Sequence, residues 1–208
     1  MSNYDIQVNK EHYFSDNYNH KARWLSFFYQ LKLLQREDIK KVLEIGPGNG
    51  WVTYILKDLG LKVTTVDIDK ELKPDFVASV DKLPFPDNSF DVVCAFEVLE
   101  HMPFEYFLNN LKEMSRVSKK NVIISLPDHR RILIHLLFKI PFLNYKNIFI
   151  KISSFKKHIF DGQHYWEIGK KKYSISIVKR EIEKSGLKIV DNFVPFDTPS
   201  NNYFVLEK

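Results

Sequence analysis

Nine residues constrain this chain more than any others. Val42-Leu43-Glu44-Ile45-Gly46-Pro47-Gly48-Asn49-Gly50 carries a short apolar run straight into three alternating glycines. An apolar run of that length suits a buried strand. The glycines allow positive φ and close approach of the backbone to a ligand. Trp51 to Leu59 then reads as a helix closed by Gly60. Glycine triplets also occur in ordinary turns. Here the strand–loop–helix context makes a nucleotide-type crevice the expected product.

The rest of the chain alternates in the same way. Tyr18 to Gln35 has apolar and aromatic residues at helical spacing. Leu61 to Val66, Asp75 to Val80, Asp91 to Phe96 and Asn121 to Leu126 read as strands. Phe104 to Val117 and Ser174 to Lys184 read as helices, and Leu187 to Val194 with Asn202 to Glu207 as a closing strand pair. Strands alternating with helices predict a doubly wound α/β fold, a mostly parallel sheet covered on both faces, with the last pair as an antiparallel edge. Between Pro127 and Tyr173 lies a stretch too long for an ordinary loop. It is expected to be a helical insert capping the sheet after the fifth strand.

Three acids follow the glycine loop. Asp67 stands 21 residues after Gly46, at the predicted end of the second strand, where a carboxylate can accept hydrogen bonds from both ribose hydroxyls. Asp69 shares its face on an extended chain and fits a helix cap better. Asp81 opens Asp81-Lys82-Leu83-Pro84-Phe85-Pro86-Asp87-Asn88-Ser89-Phe90-Asp91, an acid before an apolar loop. Such an acid can accept from an adenine amino group, or the segment is a proline-stiffened surface turn.

As a set, Glu44 to Gly50, Asp67, Asp81 and Phe90-Asp91-Val92-Val93 resemble the class I S-adenosylmethionine-dependent methyltransferases, nearest the subgroup with an LPFPDNSFDVV-type loop. The resemblance covers Val42 to Leu126. It implies a Rossmann-like, seven-stranded sheet in one methyltransferase domain over 1–208. The expected parts are an N-terminal helical lid (1–40), a cofactor-binding half (41–127), a cap insert (128–172) and a C-terminal helix and strand pair (173–208). It also implies a transferase that binds S-adenosylmethionine through Glu44, Gly46, Gly48, Gly50, Asp67, Ile68, Asp81, Lys82, Leu83 and Glu97. Asp67 would take the ribose, Ile68 and Asp81 the adenine, and the glycine backbone the methionine part. Lys21 or Arg23, on the N-terminal helix, can pair with the methionine carboxylate or simply form a solvated basic face.

Methyl transfer from a sulfonium needs orientation, desolvation and, for a hydroxyl acceptor, a base. Glu97-Val98-Leu99-Glu100-His101 follows the fourth strand, and a helical turn there would bring Glu97, Glu100 and His101 to one face. His101 is a candidate base, with Glu97 or Glu100 orienting it. His129, just past the fifth strand, and His164, in Gln163-His164-Tyr165-Trp166-Glu167, are the other catalytic candidates. The E-x-x-E-H pattern also looks like the metal site of small-RNA 3′-terminal 2′-O-methyltransferases, which would make Glu97, Glu100, His101 and His164 a cation set. The same pattern is widespread in metal-independent relatives, so no divalent metal is expected.

Charge and composition bear on the acceptor. Apolar residues make up 44% and charged residues 27%, a globular balance, and the single Cys94 excludes a disulfide framework. The net charge is +5, with 17 Phe and 10 Tyr. Much of the surplus sits in the N-terminal helix and in Arg130 to Phe160, where cationic and apolar residues cluster. That segment can be a substrate lid, an interfacial patch making peripheral membrane contact, or a groove for RNA; acids spread through the chain disfavour the last. Met1 to Ile6 lack a basic start before an apolar run, and no stretch reaches about 18 uncharged apolar residues, so a cytoplasmic protein is expected. The function expected is methyl transfer to a small or medium acceptor, at oxygen. The alternatives are a metal-assisted RNA 2′-O-methyltransferase, a lipid or quinone methyltransferase, and a non-catalytic S-adenosylmethionine-binding protein. Oligomeric state is open.

Overall fold

A computed structural model describes residues 6–139, 141–142, 146–154 and 156–208. The readings made on Met1–Asp5, Ile140, Leu143 and Phe155 lie outside these. The strands are β1 (Lys41–Ile45), β2 (Lys62–Asp67), β3 (Phe76–Val77), β4 (Phe90–Phe96), β5 (Ser118–Pro127), β6 (Arg131–Phe138), β7 (Lys146–Ile152), β8 (Lys188–Phe193) and β9 (Asn201–Glu207). The helices are α1 (Lys10–Phe14), α2 (Lys21–Leu34), α3 (Trp51–Asp58), α4 (Phe107–Val117) and α5 (Ile175–Lys184).

Seven strands form one sheet in the order β3-β2-β1-β4-β5-β9-β8. β1 to β5 pair in parallel, and β9 runs antiparallel to both β5 and β8. The order reverses between β1 and β4, so a crevice opens at their carboxyl ends. Both faces are covered, which is why these strands are apolar throughout rather than alternating. Along β1, Leu43 and Ile45 pack into one layer with α4 and α5, through Leu111, Met114 and Ile182. Val42 packs into the other, with Phe27 and Leu34 of α2 and Val52 and Leu56 of α3.

The insert corrects one expectation. It is a two-stranded antiparallel ribbon, β6 against β7, and the described residues 128–172 contain no helix. In its middle Ile134 faces Ile150 and Leu136 faces Ile148. Such β-branched cross-strand pairs favour a ladder over a helix. The ribbon is tied to the sheet at Asp128, just beyond β5. Lys151 on β7 lies 3.0 Å from the Asp128 carboxylate and also donates to the Asp128 and Pro199 carbonyls. Arg130 and Asn202 donate to the same carboxylate. No described helix is long and apolar enough to cross a membrane.

Candidate active site

A cleft opens at the β1/β4 reversal. Gly46 and Gly48 of the glycine loop line it, together with Asp67 and Ile68 at the end of β2 and Glu97, Val98 and His101 after β4. Gly46 has φ +69°, and a Cβ there would lie 2.5 Å from Val98 Cγ2, so only glycine lets the chain turn at this point. Gly48 has φ +57° beneath the Tyr13 ring. Asp67 is held by the Asp69 backbone N–H at 2.9 Å, and burial pushes its carboxyl up to about 6. Asp69 itself accepts from the Glu71 N–H and caps a 3-10 turn over Lys70–Leu72.

Not every predicted cofactor residue reaches the cleft. Glu44 points away from it: its side chain accepts a hydrogen bond from Thr53 of α3, and burial raises its carboxyl to about 7. Gly50 has φ +76° and serves as the left-handed entry to α3. Asp81 and Lys82 are exposed, and Leu83 is core; the cleft is lined instead by Ser79 and Val80 just before them.

The N-terminal segment, read in the sequence as part of a helical lid over 1–40, supplies lining side chains that were not singled out there. Gln7, His12, Tyr13 and Tyr18 close one side, the last three in edge-to-face contact with one another. For Gln7, His12 and Tyr13 the local signal is Asn9, whose side chain caps α1 by accepting from the His12 N–H. Arg23 of α2 also reaches the cleft, with its guanidinium 4.4 Å from the Tyr18 ring centre and a buried Nε that has no partner. Lys21 is exposed and does not line it.

Beyond the glycine loop the cleft ends at His101 and His164, whose rings lie 5.0 Å apart in edge-to-face contact. Glu97 has φ +55°, an uncommon backbone state outside glycine that marks strained positions. Its carboxylate accepts from Ser125 Oγ at 2.8 Å. A single 3-10 turn over Leu99–His101 then sends Glu100 into the interior and His101 to the cleft. His101 Nδ1 lies 3.1 Å from the Gln163 carbonyl, which makes it the N–H nitrogen and leaves the lone pair on Nε2. Burial, reinforced by His164, lowers its pKa to about 4.

His164 is built differently. Its Nδ1 is 3.0 Å from Glu167 Oε1, in the orientation that leaves Nε2 without the proton. Burial alone would lower its pKa, but the hydrogen bond and charge of Glu167 outweigh that and raise it. Glu167 collects further cationic or N–H groups: His129 Nε2 at 3.1 Å, His158 Nδ1 at 3.5 Å and Lys170 Nζ at 3.5 Å. Burial opposes its ionisation, yet the hydrogen bonds from His129 and His164 hold it well below the usual carboxylate range. His129 is therefore placed behind Glu167, outside the cleft lining. The segment is fixed by Trp166, fully buried, whose Nε1 donates to the Met102 carbonyl, and by the Tyr165 N–H on the Glu100 carbonyl.

Both carboxylate oxygens of Glu100 are buried without a partner. One of its oxygens and one nitrogen each of His101 and His164 lie within 4.8 Å of one another, as do atoms of Asp161, His164 and Glu167. Burial, and then the neighbouring Glu97, raises the Glu100 carboxyl far above its ordinary value.

Comparison with known proteins agrees with this architecture. The methyltransferase-domain family model matches residues 43–126, the segment that carries the glycine loop, Asp67 and β4. An uncharacterised protein of Methanocaldococcus jannaschii is 27% identical over 181 residues, covering 78% of this chain and 70% of that protein. Two solved structures share the fold. One is a 1,6-didemethyltoxoflavin N1-methyltransferase of Burkholderia thailandensis with 1,6-didemethyltoxoflavin and S-adenosylhomocysteine bound. It has a TM-score of 0.61 and 14% identity over 96% of this chain and 86% of that one. The other is the magnesium protoporphyrin IX methyltransferase of Synechocystis with S-adenosylmethionine bound. It has a TM-score of 0.61 and 13% identity over 98% and 86%. The family match falls on the strands and loop that form the cleft, so residues 43–126 carry a methyltransferase domain, set in a sheet with the fold of S-adenosylmethionine-dependent methyltransferases.

Proposed function

We propose that this enzyme methylates a hydroxyl oxygen of a small or medium acceptor bound at the His101–His164 end of the cleft. In this reading His164, backed by Glu167, takes the acceptor's proton. The observation that carries it is the 3.0 Å contact between His164 Nδ1 and Glu167 Oε1 beside the cleft. A carboxylate on one nitrogen fixes the tautomer and orientation of the ring, and it stabilises the imidazolium formed when the other nitrogen takes a proton.

The residues around the glycine loop fit S-adenosylmethionine. The buried, unpartnered Arg23 Nε suits its carboxylate, and the loop backbone, cleared of side chains at Gly46 and Gly48, suits its methionine part. Asp67 would accept from the ribose hydroxyls, with Ile68, Ser79 and Val80 along the adenine. When bound, it supplies a methyl group activated on a cationic sulfur. The chain's residues do the rest. They exclude water from the cleft, orient the acceptor, and receive the acceptor's proton at His164 Nε2 while Glu167 balances the new charge.

The test is labelled-methyl transfer to a panel of hydroxylated small molecules and primary amines. Expected are methylation of a hydroxylated compound and a fall in turnover of about 10²–10⁴-fold in His164→Ala with cofactor affinity retained. Glu167→Gln should shift the rising limb of the pH–rate profile to lower pH. Transfer to amines alone, undiminished in His164→Ala, would overturn the assignment.

A second reading has its own observation. The unpartnered Glu100 carboxylate lies beside His101 and His164, a donor set that suits a divalent cation assisting transfer to oxygen. Activity that survives exhaustive chelation would remove this reading.

A further inference from the structure

The β6–β7 ribbon has an outward face whose composition is unlike the rest of the surface. Cross-strand partners share a face, so Ile134 with Ile150, Leu136 with Ile148, and Phe138 with Lys146 form one side. The opposite side meets the body at its middle, where His135 and Phe149 reach Phe196 and His135 Nε2 contacts the Phe196 carbonyl at 2.8 Å, while Leu133 and Leu137 stay exposed and extend the apolar surface. The outward side is exposed: Leu136 at 55%, Phe138 at 40%, Ile148 at 41% and Ile150 at 42%. Large aliphatic residues gathered on one exposed face mark an interaction surface.

Charge identifies the occupant. Residues 129–160 hold seven Lys and Arg and not one Asp or Glu, in a chain whose net charge is only +5. Arg130 and Lys151 are used up on the buried Asp128. Arg131, Lys146, Lys156 and Lys157 remain exposed around the ribbon. A second copy of the chain docked face to face would bring two acid-free cationic segments together, which like-charge repulsion opposes. Aliphatic Ile and Leu give nucleic-acid bases no stacking platform. An apolar face ringed by cations matches a surface that is anionic outside and hydrocarbon within.

We propose that the β6–β7 ribbon docks the enzyme on an anionic lipid surface, with Leu136, Phe138, Ile148 and Ile150 entering the acyl boundary and the flanking cations meeting lipid headgroups. The ribbon rises from the carboxyl end of β5, beside His129 and the Glu167 cluster, so docking brings the acceptor end of the cleft to the membrane. The proposal concerns location on a surface and does not depend on which atom is methylated.

Vesicle flotation tests it with the whole chain. Vesicles of phosphatidylcholine with phosphatidylglycerol should carry the protein, neutral phosphatidylcholine vesicles should carry much less, and added salt should release it. Leu136→Asp with Ile148→Asp should weaken association by about tenfold or more while leaving S-adenosylmethionine titration unchanged, which shows that the variant is folded. Lys146→Glu with Lys156→Glu should weaken it on anionic vesicles alone. Equal flotation of wild type and the double aspartate variant would overturn the proposal. So would a wild-type dimer by light scattering that the same variant converts to monomer with no vesicle binding, or binding of single-stranded RNA in place of vesicles.

Discussion

Removing the Asp128 carboxylate should loosen the ribbon from the sheet, and the structure sets the size of the effect. The Asp128 side chain is fully buried and that of Lys151 is 4% exposed, so Asp128→Ala strands a buried ammonium. Breaking a buried pair in this way costs about 3–5 kcal/mol. Lys151 keeps the Asp128 and Pro199 carbonyls as acceptors, which places the expected loss at the lower end, about 3 kcal/mol. With an unfolding entropy of about 2.1 cal/mol/K per residue over 208 residues, that corresponds to a fall in Tm of about 7 °C. Lys151→Met should cost less, because Asp128 retains Arg130 at 2.6 Å and Asn202 at 3.1 Å. The pH dependence has a definite sign. Burial opposes ionisation of Asp128, but the hydrogen bond from Arg130 and the charge of Lys151 outweigh it and hold the carboxyl below its usual value. The contribution is therefore complete above the unfolded value of about 3.9 and is lost as pH falls through the lower folded value. Scanning calorimetry at neutral pH and at about pH 3 measures both effects. A change in Tm under about 2 °C for Asp128→Ala, or a larger loss for Lys151→Met, would refute this view of the anchor.

Two other substitutions have distinct expectations. Glu44, raised to about 7 by burial, contributes stability that is full below its unfolded value of about 4.3 and is lost as pH rises through 7. Glu44→Gln should remove that decline and gain on the order of 3 kcal/mol relative to wild type at pH 8, read from denaturant midpoints across pH. His101→Ala should lower turnover more than cofactor affinity, because its Nδ1 is held by Gln163 at the acceptor end of the cleft; kinetics and calorimetry together separate the two.

The cofactor half was legible because its signals are local. Buried parallel strands are short apolar runs, and β1, β2 and β5 are closed by glycine, aspartate and proline respectively. The ribbon was misread because its outward residues are as apolar as its inward ones. Without a polar partner at every second position the period of two disappears, and a short apolar run does not separate strand from helix. The Glu167 cluster was half legible. His164 stands out beside its aromatic neighbours, but His129 and His158 converge on Glu167 through the tertiary fold, where the Ile168 N–H bonds the Pro127 carbonyl and Trp166 is buried under Met102. Glu100 was expected to share a face with Glu97 and His101; a tight 3-10 turn in place of an α-helical one rotates it inward. The cleft lining by Gln7 and Tyr13 had no periodic signal, since that segment holds only the five-residue helix α1.

The most direct measurement is calorimetric titration of S-adenosylmethionine into the wild type and Asp67→Ala across pH. Binding is predicted for the wild type, weakened by about tenfold or more in the variant, since hydrogen bonds to a charged group contribute about 1.5–3 kcal/mol. Wild-type affinity should also fall as pH drops through about 6, where the buried Asp67 carboxylate takes up a proton. Absence of binding to the wild type, or equal affinity in Asp67→Ala, would contradict the placement of the cofactor on this chain.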